Sequence, residues 1–70
     1  SLCQKITSSD IKDECYFVIA RDSKDETICE YINDVEKQER CYLTQILGGK
    51  TITCTILSEP ENRAICETIS

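Results

Sequence analysis

Three stretches of this chain follow one rule of apolar and polar positions. A cysteine is followed three positions on by an aliphatic residue, then by a short oxygen-bearing residue. Three further on comes an acid, and a second cysteine stands twelve positions after the first. These residues are Cys3, Ile6, Thr7, Asp10 and Cys15 in the first stretch, and Cys29, Ile32, Asn33, Glu36 and Cys41 in the second. In the third they are Cys54, Leu57, Ser58, Glu61 and Cys66. Corresponding cysteines are 26 and then 25 positions apart. Agreement at several offsets in three copies marks an internal repeat, with units of about 1–22, 23–49 and 50–70 in a single domain. A hydroxyl or amide side chain followed three residues later by an acid resembles a capping box, so each unit opens a helix at the same offset.

Helical spacing assigns the elements. Ile11, Cys15, Val18 and Ile19 form one apolar stripe and predict a helix from about Ser9 to Arg21. A break follows at 22–25, and Ser23 with Glu26 reads as a capping box opening a short helix to Ile32. Asn33 reads as the cap of a helix from Asp34 to about Leu47. Its apolar positions are Val35, Cys41, Tyr42, Leu43, Ile46 and Leu47, while Glu36, Lys37, Glu39 and Arg40 face water. Gly48-Gly49 stops it, because glycine takes the left-handed C-terminal conformation at little steric cost. The segment 51–57 is mostly β-branched and reads locally as a strand. It has no convincing partner strand, so the repeat register assigns a short helix there. Ser58-Glu59-Pro60-Glu61 starts the last helix, which runs from Glu59 towards Ile69. A short helix, a turn and a longer helix cannot bury an apolar stripe alone. The expected fold is all-α: three disulfide-stapled helical-hairpin repeats stacked as a short solenoid or compact bundle.

Composition sharpens this picture. Only 40% of the 70 residues are apolar, and Met and Trp are absent. Chains this small leave much of their surface wet and usually need covalent staples. Six cysteines and no histidine point to disulfides in an oxidising compartment rather than to zinc, whose ligands normally come in closely spaced pairs. The constant spacing within units favours Cys3–Cys15, Cys29–Cys41 and Cys54–Cys66. The turn lies four residues after each first cysteine but eight before the second. Antiparallel α-helices would then offset the sulfurs by about 6 Å, against a Cα separation that must stay within about 7 Å. A rival scheme therefore stays open: Cys15–Cys29 and Cys41–Cys54, with Cys3 and Cys66 joined to each other or to partner chains.

A net charge of −5 without a basic patch argues against nucleic acid and anionic membrane surfaces. No apolar run is long enough to span a membrane. No signal peptide is visible at Ser1-Leu2; an exported protein numbered in this way would start after cleavage or be a piece of a longer chain.

Candidate chemistry is sparse. Without histidine there is no Ser-His or Cys-His pair, and Gly48-Gly49 lacks the context of a phosphate loop. The carboxylates fall in groups: Asp10, Asp13 and Glu14; Asp22, Asp25 and Glu26; Asp34, Glu36 and Glu39. Near helix starts or on polar faces they serve the helix dipole and solubility. The acids at 22–26 lack the alternating spacing and central glycine with which an EF-hand loop holds calcium. No catalytic, cofactor-binding or metal-binding residue is nominated. Tyr16 and Tyr42 stand at equivalent places and read as packing against the disulfides, or as contacts for a partner. There is no N-glycosylation sequon.

The fragments Cys29-Glu-Tyr-Ile-Asn-Asp with Glu39-Arg-Cys-Tyr42, and Asp13-Glu-Cys-Tyr16 leading into Ile19-Ala20, resemble cysteine-rich helical repeats of archaeal exported or surface-anchored proteins of unknown function. The third unit departs from them, with Glu67 after Cys66. The resemblance implies an extracellular or cell-surface setting and brings no catalytic residues.

The functional expectation is a non-enzymatic structural or assembly module, a subunit of a filament or surface multimer through self-association or contact with another protein. The alternative is a secreted disulfide-rich binding module, such as an inhibitor, toxin or signalling peptide.

Overall fold

The structure, a computed structural model, describes residues 2–69. Among them it is all-helical, without a strand. Three α-helices, α1 (Ser9–Ser23), α2 (Val35–Leu47) and α3 (Pro60–Ile69), are each preceded by a short 3-10 arm. The arms are Leu2–Lys5, Glu26–Tyr31 and Cys54–Ile56. The β-branched run at 51–57 thus yields a short helix, as the register requires, because no strand is available to satisfy its backbone.

Each unit closes on itself through one disulfide: Cys3–Cys15, Cys29–Cys41 and Cys54–Cys66, all with Cα atoms 5.7 Å apart. The geometric objection to this pairing disappears because the arms are not α-helical. A 3-10 arm rises about 2.0 Å per residue, and extended residues advance about 3.3 Å. Ile32 (φ −78°, ψ 127°) and Leu57 (φ −87°, ψ 126°) are extended. Four residues of arm therefore cover nearly the height that eight residues of α-helix cover. The same extended residues turn their side chains inward, leaving Ile32 3% and Leu57 0% exposed.

Helix α1 packs against the second arm and α2, and α2 packs against α3. Among the described residues α1 and α3 do not pack against each other. The molecule measures 36 × 22 × 12 Å. Its core runs along the line of units: the disulfides, Tyr16, Ala20, Ile32, Tyr42, Ile46 and Leu57.

Several local expectations are corrected. The stripe assigned to α1 is not its buried face: Ile11 is 60% exposed and Ile19 is 38% exposed, while Asp13, Tyr16 and Ala20 are buried. The disulfide holds the Cys15 side of the helix to its own arm, and the opposite side turns to the second unit. Helix α1 also runs on to Ser23, whose Oγ donates to the Ile19 carbonyl at 2.7 Å. Ser23 therefore caps nothing downstream; Asp25 does so, accepting from the Thr27 N–H at 3.1 Å. Lys24 ends α1 in the left-handed conformation (φ 56°), and the Asp25 N–H closes on the Ala20 carbonyl. Asp34, not Asn33, caps α2, accepting from the Glu36 and Lys37 N–H groups. Gly49 (φ 102°) ends α2, with the Lys50 N–H returning to the Gln45 carbonyl. Val35 and Leu47, expected inside, are exposed, whereas Gln45 is buried and donates to the Ala20 carbonyl of α1.

Candidate functional site

Two carboxylates are buried in this small acidic chain, and both stand ten positions after the first cysteine of their unit: Asp13 and Glu39. Each reaches the start of the next unit's long helix. Asp13 Oδ1 accepts from the Asn33 N–H at 3.0 Å and Oδ2 from the Asp34 N–H at 3.1 Å. Glu39 Oε2 accepts from the Ser58 N–H at 2.8 Å and the Ser58 hydroxyl at 2.7 Å. Its Oε1 accepts from the Glu59 N–H at 3.3 Å and from Asn62 Nδ2 at 2.9 Å. Asn33 and Ser58 are themselves equivalent, as are Asp34 and Glu59, so one contact is built twice.

A helix start leaves backbone N–H groups without partners and carries partial positive charge. Just ahead of α2, Asp13 takes the Asn33 and Asp34 amides, and the Asp34 side chain takes those of Glu36 and Lys37 in the first turn. Just ahead of α3, Glu39 takes the Ser58 and Glu59 amides, and Pro60 at the first helical position has no N–H to satisfy. Burial by itself would raise the Glu39 carboxyl pKa. The bonds from Asn62, the Ser58 hydroxyl and the two backbone N–H groups outweigh it and bring the pKa down to about 2.

The position just before serves the unit itself. Gln38 Nε2 donates to the Cys29 carbonyl at 3.2 Å, and Arg63 donates through Nε and Nη2 to the Leu57 carbonyl at 3.1 and 2.9 Å. In the second and third units offset nine thus braces the unit's own arm, and in the first and second units offset ten joins the unit to the next. In the third unit offset ten is Ala64, which has no carboxylate.

The expectation that Asp13 and Glu39 lie on polar, solvated faces is therefore corrected. Both are 3% exposed or less, held inside by partners that replace water. A signal for them was present: an acid two residues before the second cysteine in units one and two, and alanine in unit three. The other carboxylate groups do not converge. Asp22 pairs with Arg21 at 3.2 Å, Asp25 caps Thr27, Glu26 meets Lys50 at 3.4 Å and Asp10 meets Lys37 at 3.6 Å. Among the described residues no group of acids and cysteines is arranged to hold a metal.

Tyr16 and Tyr42 are 8% and 5% exposed, which leaves little of either ring for a partner to touch. Burial first, and the nearby Glu30 carboxylate second, raise the Tyr42 phenol pKa. Tyr31 is 62% exposed, with its ring centroid 5.4 Å from that of Tyr16. Among the described residues no helix is long and apolar enough to cross a membrane. Three disulfides in a chain this small are a mark of an oxidising environment. No family model, curated protein or solved structure matches this chain.

Proposed function

We propose that this chain is a non-catalytic, disulfide-braced helical-repeat scaffold that works outside the cytosol by presenting a rigid surface to another protein. The observation that carries this reading is the twice-built carboxylate contact. It fixes each unit on the next in one register, as in a short solenoid, and uses side chains that would otherwise be free for chemistry. A surface held in this way loses little conformational freedom on binding, which favours recognition. The extracellular setting rests on the disulfides and on the resemblance of the first two units to exported archaeal repeats.

The second reading is a filament or surface multimer made by head-to-tail stacking of copies. Uncapped repeats stack in this way, and a contact that does not close gives a fibre. Ala64 weighs against it, because repeating the internal contact between copies would require a carboxylate at that place. The two readings separate in light scattering of the oxidised protein at rising concentration. A monomer throughout, with capture of a defined partner from an extracellular fraction, is expected for the scaffold. Mass growing with concentration would replace it with the assembly reading.

A further inference from the structure

At both internal junctions the later unit presents the same offsets to the earlier one. Offsets four and five supply the amides that take the carboxylate: Asn33 and Asp34, then Ser58 and Glu59. Offset eight reaches back beside them. Lys37 Nζ lies 3.6 Å from Asp10, and Asn62 Nδ2 donates to Glu39 at 2.9 Å. In the first unit these offsets are Thr7, Ser8 and Ile11. The Thr7 and Ser8 amides have no partner among the described residues, and the Ser8 side chain caps nothing. Ile11 is 60% exposed. Ile6 is only half-buried, where its equivalents Ile32 and Leu57 are buried. The receiving face is thus present on the first unit and open. The far end of the array is different. Offsets ten and thirteen carry Asp13 and Tyr16, then Glu39 and Tyr42, and all four are buried. Tyr16 packs on Tyr31 of the next unit, with ring centroids 5.4 Å apart. In the third unit these offsets are Ala64 and Glu67, both exposed. An outer face of this kind ends a repeat array.

We propose that the first unit docks on a partner protein carrying a repeat of this same kind, whose helix offers Asp or Glu at offset ten and tyrosine at offset thirteen. The carboxylate takes the Thr7 and Ser8 amides, and the side chains around it cover Ile6 and Ile11. The molecule itself selects this occupant, because it seats such a carboxylate on the equivalent amides twice. A second copy of this chain does not fit, since its third unit has Ala64 where the carboxylate is needed. The contact is head to tail. Once docked, the chain ends the stack, because its third unit offers no carboxylate in turn. The proposal rests on the scaffold reading and names both the partner and the end of the array that meets it.

The test rebuilds the missing face on the chain itself. The double variant Ala64→Glu, Glu67→Tyr gives the third unit what the second has at offsets ten and thirteen. Both positions are exposed, so helicity and the disulfides should be kept. In sedimentation equilibrium its mass should grow with concentration, while the parent stays a monomer. Ala64→Gln in place of Ala64→Glu should weaken this association about tenfold, because the new amide brings a donor to N–H groups that need an acceptor. Adding Ser8→Pro should abolish it, since proline fits the Ser8 φ of −77° and removes one of the receiving N–H groups. Ile11→Lys, at an exposed position on the same face, should abolish it independently. Excess parent should shorten the stacks, and its Thr7 and Ser8 amides should become protected from exchange. A double variant that stays monomeric, or that associates equally well with Ser8→Pro and with Ile11→Lys, would overturn this docking. So would a partner captured equally by the parent and by both of those variants, and that result would leave the scaffold reading standing. A parent that captures no partner at all would overturn both.

Discussion

The two junctions between repeats use the same contact in different company. Where the first unit meets the second, α1 packs against both the second arm and α2, Gln45 adds a hydrogen bond at the far end of α1, and Asp13 accepts two. Where the second meets the third, α2 packs against α3 and, among the described residues, not against the third arm, and Glu39 accepts four hydrogen bonds. The carboxylate contact is thus an accessory at the first junction and a principal support at the second. Polar satisfaction of a helix start sets register at either place, and it weighs most where packing is thinnest.

The sharpest way to break this comparison is to remove what both sides share. Reducing all three disulfides removes constraints that contribute about 3 kcal/mol each for loops of this size, rivalling the stability of a small domain. Helicity followed by circular dichroism should collapse on reduction, and intact mass after alkylation should count six thiols.

Next in size, Leu57→Ala should cost about 3 kcal/mol, because the side chain is fully buried and little around it can close the space. Urea unfolding with the disulfides intact would measure the loss. Amide exchange should then place the loosening in α3, with α1 undisturbed.

Glu39→Gln should cost about 2 kcal/mol, since the amide offers its own N–H groups to donors that need an acceptor. Asp13→Asn should cost less, having two bonds to lose and a more widely packed junction beside it. Equal losses at the two sites would contradict the division of labour drawn above. The same residue sets a pH dependence. Its pKa in the folded chain is depressed to about 2 from an ordinary 4.5. The stability that it contributes is complete above the ordinary value and is lost as pH falls through the folded one. Urea midpoints measured from about pH 5 down to about pH 2, the window between the ordinary and the depressed value, should therefore fall less steeply in Glu39→Gln than in the parent.

The smallest effect should be a gain. Lys24 holds the left-handed conformation that ends α1. Lys24→Gly should stabilise by about 0.5–1 kcal/mol by relieving the steric cost of a β-carbon there. Thermal unfolding would detect it.

Much of the fold was legible in the chain. Cysteine spacing located the units, the pattern at Thr7, Asn33 and Ser58 located the helix starts to within a residue or two, and Gly48-Gly49 located a stop. Three things were not legible, for physical reasons. The arms are 3-10 and extended rather than α, a choice made by the reach of the disulfides and not by local propensity. The buried face of α1 is chosen by the second unit, so Ile11 and Ile19, apolar by type, lie outside. Asp13 and Glu39 look like solvated acids until a following helix start stands opposite them. Only comparison of the repeats at offset ten, where Ala64 breaks the pattern, distinguishes them from the other acids.

The central claim, that these two carboxylates lock successive units by taking the two amides just ahead of the next helix, is tested most directly by residue-resolved amide hydrogen exchange. The amides of Asn33, Asp34, Ser58 and Glu59 should be protected in the oxidised parent, unlike those of Thr7 and Ser8, which occupy the same offsets with no carboxylate on them. Glu39→Gln should release Ser58 and Glu59 alone, and Asp13→Asn should release Asn33 and Asp34 alone. If all six exchange at the same rate in the parent, the units are not joined in this way.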